Sequence, residues 1–184
     1  LHNRGTTSVT MTNWSLQYAS ATGNSWQVAS FSGTINAGAY FLVRLQSPQA
    51  SGVALPTPDA SGSNINISQS AGKLALVSNT TALSGSCPTG SSIVDLAGYG
   101  SQVVATGCWE GTATAPALTA STADFRNDLG CADTNANNSN FTTGAPAPRN
   151  SGTTVSPCTC NSVINEVGTA AEADYCVLQF PSSF

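Results

Sequence analysis

The sequence predicts an all-β protein, and three observations carry that expectation. Residues 14–19, 26–31 and 40–45 are short runs rich in aromatic and branched side chains, separated by Gly, Asn and Ser. Within the first run, Trp14, Leu16 and Tyr18 alternate with Ser15, Gln17 and Ala19, the period of two that marks a half-buried strand. No stretch carries the apolar spacing of a convincing amphipathic helix.

Thr22-Gly23-Asn24-Ser25 joins the first two runs as a hairpin, and Asn36-Ala37-Gly38 supplies a positive-φ position before Tyr40. Residues 46–63, with Pro48, Pro56 and Pro58, read as a long loop. Residues 65–68 and 73–78 read as the next hairpin, 93–99 as a further strand, and 120–125 as a short one in a loosened Ala, Thr, Asn and Asp stretch. Residues 146–157 have linker composition, Pro, Ser, Thr and Gly without apolar periodicity. Two apolar segments follow, SVINEVG at 162–168 and ADYCVLQF at 173–180. The expected organisation is a body over 1–145, a linker over 146–161 and C-terminal strands over 162–184.

Only 8% of the 184 residues are charged, so Ser, Thr, Asn and Gly must cover the surface. Such a surface suits glycosylation or close packing against copies of itself. The net charge is −4, and the five basic residues Arg4, Arg44, Lys73, Arg126 and Arg149 are scattered, which argues against nucleic acid as a partner. No apolar run approaches the ~20 residues that span a bilayer. The chain begins at Leu1 without a charged-then-apolar leader, so a signal peptide is expected to have been removed.

Six cysteines, Cys87, Cys108, Cys131, Cys158, Cys160 and Cys176, include no C-x-x-C pair, and His2 is the sole histidine. A disulfide framework is therefore expected rather than a zinc site, and with it a location outside the cytosol. Cys158 and Cys160, two apart on an extended segment, project to the same side and are expected to reach different partners.

Several motifs occur in one order over about 150 residues: Asn3-Arg4-Gly5-Thr6-Thr7, Asn13-Trp14-Ser15-Leu16-Gln17-Tyr18, Gly38-Ala39-Tyr40-Phe41-Leu42-Val43, Val94-Asp95-Leu96-Ala97-Gly98-Tyr99-Gly100, Cys108-Trp109-Glu110-Gly111 and Gly130-Cys131-Ala132-Asp133-Thr134. In this series the chain closely resembles the bacterial lamin-tail domain, an immunoglobulin-like β-sandwich. The resemblance implies a Cys87–Cys108 bond, since those positions match the family's paired ones. Cys131 is then expected to bond one of Cys158 and Cys160, and Cys176 the other. The family's opening strands resemble Val163-Ile164-Asn165-Glu166-Val167 and Asp174-Tyr175-Cys176-Val177-Leu178, and the second runs straight into the Asn-Arg-Gly turn. Here that pair lies at the C-terminus, so the order is permuted. The segment then completes either its own sandwich or that of a neighbouring copy through Val163, Ile164, Val167, Tyr175, Val177, Leu178 and Phe180. A linker of about 12 residues reaches roughly 40 Å and permits both.

No Gly-x-Ser-x-Gly elbow is present, and no catalytic set, cofactor or metal is expected. Glu166 with Glu172, or Asp124 with Asp128, are read as solvated or turn-capping acids rather than a glycosidase pair. Asp128, Asp133, Asn135 and Asn137 only partly follow a calcium-loop pattern, and an Asx-turn loop is the plainer reading. His2 reads as an exposed residue beside a strand junction. Of the Asn-x-Ser/Thr sites, Asn79, Asn137 and Asn140 fall in loops and are the glycosylation candidates, whereas Asn13 precedes a core Trp. Trp26, Trp109 and Tyr99 suit a core more than a sugar platform. The expected function is structural, a non-enzymatic subunit of an extracellular filament or surface layer that partners copies of itself by strand donation. The alternative is a monomeric adhesion or carbohydrate-binding module with its tail folded back and glycans as partners.

Overall fold

A computed structural model describes residues 1–46, 54–62 and 65–158. Four strands form the central antiparallel sheet: β1 (Val9–Ser20), β2 (Gln27–Ile35), β5 (Ala71–Val77) and β6 (Ile93–Gly100), in the order β2-β1-β5-β6. Between β2 and β5 in the chain, β3 (Val43–Arg44) and β4 (Ala60–Ser61) pair in parallel, and β7 (Ala123–Arg126) pairs antiparallel with β8 (Phe141–Gly144). The helical content of the described residues is a 3₁₀ turn at Asp128–Gly130 and the four-residue α1 (Asn137–Asn140). The chain is thus all-β, as its sequence predicts.

Register explains the two faces. Leu16 pairs with Ala29 and Leu76, which places all three on one face, while Gln17 pairs with Val28 and Ala75 on the other. The first face buries Leu16, Phe31, Ile35 and Tyr18 against Ala39, Phe41 and Ile65. The second buries Ala19, Ala75, Val77 and Leu96 against Trp26 and Cys108. Each large apolar side chain so buried contributes about 1.5–3 kcal/mol, and two covered faces account for a stable sheet without a long helix.

The expectation that β1 is half-buried is corrected, because Ser15 and Gln17 are both 0% exposed. The chain after β5 lies over them. Ser15 Oγ donates to the Asn79 carbonyl, Gln17 Nε2 donates to the Thr81 carbonyl, and Gln17 Oε1 accepts from the Leu83 N–H. The predicted strand over 40–45 is also interrupted, because the Leu42 N–H turns to the Asp59 carboxylate at 2.7 Å. Residues 65–68 do not form a strand. The Ser68 N–H donates to the Tyr18 hydroxyl and its carbonyl accepts from the Tyr99 hydroxyl, leaving neither group for a ladder. Gly38 takes the predicted positive φ, at +66°, and the Ala39 N–H closes the turn on Asn36.

Two disulfides are present among the described residues, Cys87–Cys108 and Cys131–Cys158. Cys160 and Cys176 lie outside those residues. The stretch read as a linker is tied to the body over its second half. Asn150 Nδ2 donates to the Thr57 carbonyl, Ser151 N–H and Oγ donate to Asp59, the Ser156 N–H donates to the Gly38 carbonyl, and Cys158 is bonded to Cys131. Only Thr159, Cys160 and Asn161 then separate the last tied residue from Ser162. Three residues reach at most about 10 Å, against roughly 40 Å for the 12 residues of linker composition.

Candidate functional site

The register of β1 shifts between Met11 and Trp14, where one extra residue enters the strand and Asn13 takes φ +54°. Residues three apart on a regular strand face opposite sides, so the bulge is what brings Met11 and Trp14 into the same cluster. With Val9, Ile35, Leu76 and Val94 they line an apolar groove of about 310 Å³. His2, Arg4, Asp95 and Asp133 close one end of it and also line a second, polar cleft of about 310 Å³ that continues past Asp124, Arg126, Leu129 and Arg149. Groove and cleft share those walls and make one trough, apolar at one end and charged at the other.

The charged end is an ordered network. Arg126 reaches Asp95 at 2.6 Å and Asp133 at 3.1 Å, and Arg4 reaches Asp133 at 2.5 Å. Carboxylate oxygens of Asp95, Glu110 and Asp133 lie within 4.8 Å of one another. Burial raises the Asp95 carboxyl above the usual range against the pull of Arg126, and burial together with Asp95 and Asp133 pushes Glu110 up to about 7. Burial alone pushes Asp124 up to about 6. Two guanidiniums thus offset three crowded acids, and Arg126 occupies the position between Asp95 and Asp133 that a cation would take.

His2 is half-buried rather than exposed. Its ring stacks on Tyr40 at 4.6 Å, and Nε2 lies 3.0 Å from the Ser156 carbonyl and 3.3 Å from that of Gly38. Two carbonyls at Nε2 call for a proton there, and Nδ1 is buried without a partner among the described residues. Arg4 Nε and Asp124 Oδ1 are likewise buried and unpaired, and all three residues line the polar cleft. Arg149 also places its guanidinium over the Tyr40 ring, 4.9 Å from the centroid. His2, Cys131 and Cys158 also cluster, but the two sulfurs are bonded to each other and are not available as thiolate ligands.

The predicted assembly residues Val163, Ile164, Val167, Tyr175, Val177, Leu178 and Phe180 lie outside the described residues. Asn79 is exposed, in an Asx turn with Thr81. Asn137 and Asn140, expected as glycosylation sites, are buried, at 0% and 3% exposed. Asn137 Oδ1 accepts from the Gly98 and Glu110 N–H groups and its Nδ2 donates to the Leu96 carbonyl, so the amide stands in for a strand along the outer edge of β6. Asn140 Oδ1 accepts from the Thr134 and Ala136 N–H groups. A glycan on either amide nitrogen would have to displace this packing. The four residues of the calcium-like run are not gathered round one point. Asp133 belongs to the arginines, Asn137 belongs to β6, and Asn135 takes φ +51° over an Asp133 Asx turn. Trp26 and Tyr99 are buried, with Trp26 Nε1 donating to the Gly85 carbonyl.

Sequence reasoning missed the charged network, since Arg4 and Asp95 lie far from the Arg126 and Asp133 they join and single acids read as solvated. Searches of protein-family models, of curated proteins and of solved structures find no match for this chain.

Proposed function

We propose that the chain is a secreted structural subunit that assembles head-to-tail, each copy placing its segment 162–180 in the trough of the next. The trough carries this reading: an apolar groove over the sheet in a chain whose remaining residues include two apolar segments. Main-chain pairing along an open edge and side-chain burial in the groove are how a donated strand binds. Three or four buried anchors at about 2 kcal/mol each are comparable to the ~4–15 kcal/mol lost on association. Every copy both gives and receives in such a contact, and an open repeat of it is a filament. Two disulfides among the described residues and a surface poor in charge fit an extracellular site, and no helix among the described residues is long and apolar enough to cross a membrane. The lamin-tail resemblance, with its immunoglobulin-like sandwich completed by the donated strands, belongs to this reading, as does the absence of enzymatic activity.

One observation favours the second reading, a monomeric adhesion or glycan-binding module. Cys158 sits within 4.8 Å of His2, so the segment starts beside its own trough. Electron microscopy of native material, with excess synthetic peptide 162–180 added during growth, separates the two. Strand donation predicts filaments that shorten as peptide rises. A uniform 18.6 kDa species that ignores the peptide overturns it in favour of closure within one chain.

A further inference from the structure

The trough has a charged end as well as an apolar one, and its cations are unequally used. Arg126 is engaged by Asp95 and Asp133, and Arg4 gives Nη1 to Asp133 while its buried Nε has no partner. Arg149 has no carboxylate partner among the described residues. Its Nη1 makes only long contacts, 3.3 Å to the Tyr40 hydroxyl and 3.5 Å to the Leu129 carbonyl. The guanidinium lies over the Tyr40 ring, itself stacked on His2, and its remaining N–H groups have no protein partner among the described residues. The conformational cost of holding an arginine ready for an anion is thereby met before any ligand arrives.

The segment expected to enter the trough has the complementary charge. Residues 162–180 contain Glu166, Glu172 and Asp174 and no Lys or Arg, so a third of the nine acids of the chain fall in this short stretch. The body is close to balanced without them, with five basic residues against Asp59, Asp95, Glu110, Asp124, Asp128 and Asp133.

We infer that Arg149 is an anchor for one acidic side chain of the 162–180 segment of a second copy, so that the trough reads charge at one end and apolar shape at the other. This rests on the strand-donation reading and adds one charged contact to it.

The test uses the full chain and a fluorescent peptide 162–184 carrying Cys176→Ser, with binding followed by anisotropy. Arg149→Gln is expected to weaken binding about tenfold, the effect of losing one charge-assisted contact. A peptide with Glu166→Gln, Glu172→Gln and Asp174→Asn should lose a similar factor against the native chain and lose nothing more against Arg149→Gln. Single substitutions then identify the acid, and the native peptide should weaken with salt where the neutral one does not. If the protein and peptide changes multiply instead of overlapping, the anchor is wrong and strand donation stands. If neither peptide binds the native chain, donation itself fails and the anchor with it. Should Arg149→Gln not fold, equal affinity of the native and neutral peptides for the native chain at low salt overturns the anchor.

Discussion

On one face of the central sheet Lys73, Gln17 and Ser15 are fully buried, and their polar atoms meet partners. Lys73 Nζ alone donates to the carbonyls of Gly23, Ser86 and Thr106, at 2.7–2.8 Å, which ties three loops together beneath the Trp26 ring. Toward the other face His2, Arg4 and Asp124 each hold a buried polar atom with no partner among the described residues. Only the Thr106 hydroxyl breaks the pattern on the closed side. Both faces are apolar at their centres, so hydrophobicity does not separate them. Satisfaction of the polar groups does, because an unpaired buried donor or acceptor carries a cost that a ligand can relieve.

The closed face is where substitution should hurt most. Lys73→Met leaves three carbonyls without a donor and should lower stability by about 3 kcal/mol, measured by chemical denaturation. A loss below about 1 kcal/mol would mean that the loops are held by packing alone. Burial lowers the Lys73 pKa below its ordinary 10.5, so the folded state gives up this proton before the unfolded chain does, and stability rises as pH climbs through the folded value toward 10.5.

Breaking either disulfide should have a comparable entropic cost, about 3 kcal/mol, since the two span similar separations of 21 and 27 residues. Hydrogen exchange sharpens the comparison. Loss of Cys87–Cys108 should loosen the closed face throughout, whereas loss of Cys131–Cys158 should expose mainly the chain between those residues. Next in size is Asn137→Ala, expected to cost about 2 kcal/mol by exposing the edge of β6, with the Gly98 and Glu110 amides exchanging faster.

Smaller effects mark the trough. The Glu110 carboxyl is raised from 4.5 to about 7, so the folded state holds a proton there that the unfolded chain releases. Its contribution is greatest below pH 4.5 and declines as pH rises to 7, by about 1–2 kcal/mol once solvent screening is allowed for. Glu110→Gln should flatten that slope, and an unchanged slope would assign it to other groups such as Asp124. Smallest of all is Asn79→Gln, within about 0.5 kcal/mol. In a host that glycosylates, that substitution should remove a glycan, whereas the folded chain should carry none on Asn137 or Asn140.

Local pattern made the four main strands legible, because Trp14, Leu16 and Tyr18, and later Leu74 and Leu76, alternate along them. The turn at Gly38 was legible for the same reason, a local demand on one residue. What lay beyond reading was settled at a distance. Ser15 and Gln17 look solvated until residues 79–83 cross above them, and Ser68 looks like a strand residue until two tyrosine hydroxyls take its backbone. Asn137 fits a glycosylation motif by sequence, and only its seat beside Leu96 and Gly98 shows that the amide is structural. The charged end of the trough joins Arg4 to Asp133 across 129 positions and Asp95 to Arg126 across 31, separations that no short window of sequence spans.

The Cys131–Cys158 bond also sets a load path. Tension applied to the chain beyond Cys158 crosses the disulfide to Cys131 and enters the body beside the Arg4–Asp133 pair. The intervening residues, with β8, the Asn137 seat on β6 and the contacts of residues 150–156, form a covalently shunted loop that bears none of the pull. A fibre drawn through this joint would extend by yielding elsewhere, and the excursion from Cys131 to Cys158 would keep its length until the bond is reduced.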